Sequence, residues 1–112
     1  MTKTKEEVIE ALEAAREKLL DDNAKKEFEG WTRTIQYHFK DTDEFWHFDV
    51  VDGLPGQLEN EEDDEADVKF DMTEDTLLRL IDGRLNGMVA FTTGKVKVKA
   101  SMKDISKLQK LV

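Results

Sequence analysis

The sequence predicts an α+β fold, an antiparallel-rich sheet with helices packed on one face. Three observations carry this reading. Several short stretches alternate apolar and polar residues with a period of two, and others place apolar residues at helical spacing. No sustained alternation of strand and helix runs along the chain. No glycine-rich loop of the dinucleotide-binding type is present. With 112 residues, no internal repeat and no long linker, the expectation is a single domain spanning residues 1–112.

The first helix is predicted from Lys5 to Asp22, capped by Thr4 with Glu7 closing a capping box. Val8, Leu12, Ala15 and Leu19 form its apolar stripe. A short helical turn, Ala24 to Glu29, follows Asn23 as its cap and ends at Gly30. Ile35, Tyr37 and Phe39 then alternate with polar residues, as do Trp46, Phe48 and Val50. A four-residue hairpin loop at Asp41–Glu44 pairs residues whose numbers sum to 85. That register sets Phe39 opposite Trp46, Tyr37 opposite Phe48 and Ile35 opposite Val50.

Leu54 to Glu59, marked by Pro55, suits a short edge strand. Val68, Phe70 and Met72 define a fourth strand. Thr73 caps a helix from Glu74 to Asp82 that carries Leu77, Leu78 and Ile81 and stops at Gly83. Leu85 to Thr93 is a loop or helical turn, Lys95 to Lys99 a last strand. Ser101 with Asp104 caps a terminal helix bearing Met102, Ile105, Leu108 and Val112.

Composition excludes several functions. The chain has no cysteine, which rules out disulfides, thiolate zinc sites and thiol catalysis. No run approaches the ~20 apolar residues of a membrane span. The charged first ten residues do not read as a signal peptide, so a cytoplasmic location is expected. Net charge is −9, yet Glu59 to Asp67 alone holds seven acids, and without them −2 remains. Arg84 to Val112 carries Arg84, six lysines and one acid, a local +6 that leaves −15 for residues 1–83. The basic third suits phosphate groups or an anionic membrane, while the overall sign disfavours nucleic acid.

Each candidate polar site also has a purely structural reading. The 85 register makes His38 and His47 cross-strand partners, with Gln36 and Asp49 nearby, a weak zinc pattern without helical support. The acidic run lacks the spacing of a calcium loop and reads as a solvated turn. Ser, His and Asp occur without a G-x-S-x-G elbow, so no catalytic residue, metal or cofactor is assigned.

The segment D-G-R-L-N-G-M-V-A-F-T-T-G-K-V-K-V-K-A-S-M-K-D-I-S-K-L-Q-K-L, Asp82 to Leu111, resembles the sterol carrier protein type-2 (SCP-2) domain family. Gly83, Phe91, Gly94, Lys95, Met102, Lys107, Leu108 and Gln109 carry the likeness. Asn86-Gly87 departs from it where many members have Asn-Pro, and Ala100 where a glycine usually precedes the last helix. No peroxisomal tripeptide closes the sequence at Val112. The resemblance implies a five-stranded sheet and an apolar tunnel between sheet and helices for fatty acids, fatty acyl-CoA, phospholipids or sterols. It implies a carrier, not a catalyst.

With the register above, the resemblance nominates Tyr37, Trp46 and Phe48 on the sheet as lipid-binding residues. On the helical layer it nominates Leu77, Ile81, Met88, Phe91, Met102 and Ile105. Lys95, Lys97 and Lys99 share one strand face, either contacting headgroups or phosphates or simply protecting a sheet edge. The expected partner is a lipid-like small molecule, with transient contact to a membrane or a lipid enzyme. The alternative is an interaction module on the same fold whose core is filled.

Overall fold

The computed structural model describes residues 4–109, so Leu111 and Val112 lie outside the described residues. The described elements run α1 (Lys5–Glu17), a 3-10 turn (Lys18–Leu20), α2 (Asp22–Glu27), β1 (Arg33–Phe39), β2 (Glu44–Val51) and β3 (Leu54–Pro55). Then come β4 (Val68–Met72), α3 (Glu74–Ile81), α4 (Gly87–Thr92), β5 (Lys97–Lys99) and α5 (Met102–Leu108). The five strands form one mixed sheet in the order β3-β2-β1-β4-β5. All its pairs are antiparallel except β1 with β4. The α+β class expected from alternation is therefore observed.

The hairpin register differs from the expected one. Tyr37 faces Trp46, Ile35 faces Phe48 and Arg33 faces Val50, so paired numbers sum to 83. The loop is Lys40–Asp43, one residue earlier, because Asp43 takes a left-handed φ of 56° and its N–H donates to Phe39 O at 2.7 Å. Asp tolerates that conformation better than most residues, which frees Glu44 to open β2. A shift of two in the sum preserves side-chain parity, so the apolar face is unchanged. It does separate the histidines, since His38 now faces Phe45 and His47 faces Gln36.

Other boundaries shift for identifiable reasons. The first helix stops at Glu17 and tightens into the 3-10 turn, because Asp21 adopts extended backbone. The Asp21 carboxylate accepts the Asn23 N–H at 3.1 Å, so Asp21 and not Asn23 caps α2. β3 pairs only at Leu54–Pro55, with an isolated bridge of His47 to Glu59 beyond it. Lys95 and Val96 donate their N–H groups to Ala90 O at the end of α4, leaving only Lys97–Lys99 for β5. Gly53 turns β2 into β3 at φ +79°, where a Cβ would lie 2.5 Å from Phe28 O.

One sheet face carries three cross-strand rows: Phe48–Ile35–Val68, Trp46–Tyr37–Phe70–Val98 and Phe39–Met72. The core combines these with Val8, Leu12 and Leu19 of the first helical segment, Phe28, and Leu77 of α3. The opposite face is partly covered too. The acidic segment lies across it, with Asp63 N–H donating to Gln36 Oε1 at 2.5 Å and the His47 Nδ1 position 2.8 Å from Glu61 O. Gln36 and His47 are consequently buried. The run expected as a solvated turn is tied down through its backbone while its carboxylates stay mostly in water.

Candidate functional site

Between the apolar sheet face and the helices lies a cavity of about 400 Å³. Protein interiors pack with few voids larger than a water. At ~30 Å³ per water this space equals roughly a dozen molecules, and it falls within the range of small-ligand sites. The sheet supplies Ile35, Tyr37, Phe48, Phe70, Met72 and Val98. Ala15, Leu77, Leu80, Ile81, Met88, Phe91, Ile105 and Leu108 come from α1, α3, α4 and α5. The wall reaches solvent at Lys18, Met88, Phe91 and Gln109, all exposed.

Each wall is held by a specific local device. Thr73 Oγ1 accepts the Thr76 N–H at 3.1 Å and starts α3. Asn86 Oδ1 accepts N–H bonds from Met88 and Val89, which begins α4 at the mouth. The terminal helix is anchored by Asp104, which is 4% exposed. Trp31 Nε1–H donates to its Oδ1 at 2.9 Å, and Arg33 Nε–H to its Oδ2 at 3.0 Å. Burial pushes the Asp104 carboxyl upward, but those two donors and the Arg33 charge outweigh it, and the group ends below its ordinary value. That clamp turns Ile105 and Leu108 toward the cavity.

Seven of the nine nominated lipid-binding residues come together here: Tyr37, Phe48, Leu77, Ile81, Met88, Phe91 and Ile105. Trp46 does not line the cavity. It shares the Tyr37 row but lies on the β2 side of it, away from β4 and β5, buried at 7% exposure, and its indole N–H has no partner among the described residues. Met102 is 76% exposed at the first position of α5, one turn ahead of the residues that face inward. Lys97 and Lys99 alternate with Val96 and Val98, so they sit on the exposed side of an edge strand whose valines line the cavity. Lys95 is exposed just before that strand.

Sequence reasoning missed Phe70, Leu80, Leu85 and Val98 as lining residues. The alternation of β4 and β5 already placed Phe70 and Val98 on one face each. What it could not supply was the parallel β1–β4 pairing that aligns Phe70 with Tyr37. Lys18 was also missed, because a charged residue at the end of α1, beside the apolar stripe, carries no signal for a cavity. Among the described residues it forms no ion pair, and it is the one lysine that lines the cavity.

The two histidines lie off the cavity, on the opposite sheet face. His38 sits 2.6 Å from Asp71 and 2.9 Å from Asp43 through its two ring nitrogens, and stacks on Phe45. Burial lowers its pKa, but both carboxylates together raise it above the ordinary value. His47 lies 3.3 Å from a Glu59 carboxylate oxygen. The zinc pattern of His38, His47 and Asp49 is not formed, since Asp49 accepts from Thr34 Oγ1 and each histidine has its own partners. His47, Glu59 and Glu61 do bring potential ligand atoms within 4.8 Å of one another, in a cluster whose acids are exposed.

The chain is similar to several known proteins. Hydroxysteroid dehydrogenase-like protein 2 of Homo sapiens is 40% identical over 52 residues, 46% of this chain and 12% of that protein. The match therefore spans a small part of that relative. The crystal structure of Sterol Carrier Protein 2 Like 2 from Aedes aegypti superposes with a TM-score of 0.71 at 15% identity, covering 96% of this chain and 98% of that one. The solution structure of palmitated SCP2L2 from the same organism gives 0.71 at 19%, covering 97% and 94%. The sec-alkylsulfatase Pisa1 from Pseudomonas sp. matches 78% of this chain with 13% of its own, at 22% identity and a TM-score of 0.61. At such identities the structural likeness concerns the fold. The model of the SCP-2 sterol transfer family matches residues 12–112, and the chain belongs to that family.

Proposed function

We propose that residues 1–112 act as one non-catalytic lipid carrier, holding the apolar part of a fatty acid, fatty acyl-CoA or sterol-like ligand in a tunnel between sheet and helices. The observation that carries this reading is the apolar-walled cavity of about 400 Å³. A filled core, as an interaction module would have, leaves no such space. Burial of each methylene contributes about 0.8 kcal/mol, so a long chain binds without directional contacts. Met72 and Met88 in the wall adapt to different shapes. The Aedes aegypti neighbour described as palmitated is consistent with an acyl ligand.

Lys18 at the mouth suits a carboxylate or phosphate left in water once the tail is buried. Exposed Met88, Val89 and Phe91 on α4 form an apolar lip, and Arg84 and Lys95 flank α4 in sequence. That lip, with Lys97 and Lys99 on the edge strand, is the surface assigned to transient contact with an anionic membrane.

Native mass spectrometry of the purified protein, before and after incubation with palmitate, tests the proposal. A stoichiometric acyl adduct that a cavity-filling Val98→Trp variant no longer forms is the expected result. Absence of any adduct with fatty acid, acyl-CoA or sterol, from a folded protein, returns the interaction module as the better reading.

A further inference from the structure

The cavity wall is largely apolar, and one buried polar side chain in it has no hydrogen bond among the described residues. Tyr37 stands in the middle of β1, flanked by Trp46 on β2 and Phe70 on β4. It is 8% exposed, lines the cavity, and makes no hydrogen bond among the described residues. Its ring is stacked on Phe70, with centroids 5.2 Å apart and planes 19° from parallel, so the hydroxyl is held in place. The hydroxyl is not sealed from the cavity, so a group entering that space can reach it, where a phenylalanine would offer no polar contact. The other polar side chains of the wall differ. Asn86 already spends its carbonyl oxygen capping α4, and Lys18 and Gln109 are exposed at the mouth.

We propose that the Tyr37 hydroxyl is an internal hydrogen-bonding subsite that selects amphiphiles carrying an uncharged oxygen (an alcohol, ester or ether) inside the cavity. Resting on the carrier reading, this adds a preference that burial of a tail alone would not create. A carboxylate brought against Tyr37 would be stripped of water, a costly exchange. An uncharged oxygen loses far less on entry and finds a partner there. Burial pushes the phenol up to about 12, so it remains protonated and available as a donor at neutral pH.

Displacement of a fluorescent fatty acid by dodecanol, dodecane and laurate, in the wild type and in Tyr37→Phe, tests the subsite. The substitution keeps the ring and its stacking. Dodecanol should bind roughly 3- to 10-fold more weakly to the variant, with dodecane and laurate unchanged. Because Tyr37 is the chain's single tyrosine, ring-13C tyrosine labelling gives one Cζ signal. That signal should move on loading with dodecanol and stay put with dodecane. Equal loss for all three ligands means a packing role, and no loss for dodecanol removes the hydrogen bond; either overturns the subsite while leaving the carrier reading intact. Failure of the wild type to bind any of the probes overturns the carrier reading, and the subsite with it.

Discussion

Replacing Asp104 separates two contributions that meet at one carboxylate. Asp104→Ala leaves the Trp31 indole N–H, 6% exposed, without its acceptor and the Arg33 guanidinium without its counterion. An orphaned buried donor costs about 1–3 kcal/mol. The Arg33 part is smaller, because its side chain is 39% exposed and solvent screens it, about 0–1 kcal/mol. Together Asp104→Ala should lose about 1–4 kcal/mol. Asp104→Asn keeps an acceptor for Trp31 and drops only the charge, so about 1 kcal/mol is expected. Urea melts at pH 7 distinguish the two, and the Trp31 indole N–H resonance in an NMR spectrum reports the contact directly. The carboxyl's folded pKa is depressed, so its contribution is present above the unfolded value near 3.9 and fades as pH falls through the lower folded value. The gap between wild type and Asp104→Asn should therefore close in acid. Because α5 carries Ile105 and Leu108, the alanine variant should also release a bound fatty acid faster. Equal destabilisation by Asn and Ala, or losses under about 0.5 kcal/mol for both, would refute this account of the clamp.

Gly53→Ala should destabilise by about 2–4 kcal/mol, read from the urea midpoint, since it adds a Cβ at 2.5 Å from Phe28 O in a left-handed conformation. His38 contributes stability that is full below its unfolded pKa of about 6.5 and lost as pH rises through its higher folded value. Thermal melts from pH 5.5 to 8.5 should thus show wild type converging on His38→Gln, by less than about 1 kcal/mol because Asp43 is exposed. Lys18→Glu should weaken laurate by roughly 3- to 10-fold in low salt and leave dodecanol unchanged, as displacement titrations in 20 and 500 mM salt would measure.

The strands and helices were legible because their signals are local. Alternation set which residues of β1, β2 and β4 share a face, and parity survived even though the hairpin register moved. Thr4, Thr73 and Ser101 were readable as caps, and each accepts the N–H three residues on. What escaped depends on contacts between distant segments. The Asp104 carboxylate looked like part of a helix cap, yet its side chain reaches Trp31 and Arg33, more than seventy residues earlier. The acidic run looked like a solvated loop because its side chains repel one another; its backbone binds Gln36 and His47 all the same. Trp46 was nominated by its face, correctly, but a face is wider than a cavity. Its place in the row, on the far side of Tyr37 from Phe70, follows from the strand order β2-β1-β4, which no local pattern encodes.

That strand order also explains how the site stays open. β4 enters parallel to β1 and sets Phe70 against Tyr37, while β5 extends the row with Val98. The row therefore ends in a small residue on a three-residue edge strand, opposite α4, a helix of six residues. Large aromatics fill the β2 side, and smaller side chains border the β5 side. A sheet that tapers in side-chain volume toward a short edge cannot close against a short helix without leaving space. Bulk added at Val98 should remove that space at little cost in stability, whereas the same bulk at Val68, buried completely beside Ile35, should overpack the core by about 1–3 kcal/mol. Val98→Trp and Val68→Trp, compared by urea denaturation and by fatty-acid uptake, should separate the wall of a cavity from the centre of a core. Equal destabilisation by the two would mean that the sheet packs as tightly at its β5 edge as at its middle, and the taper would then not account for the cavity.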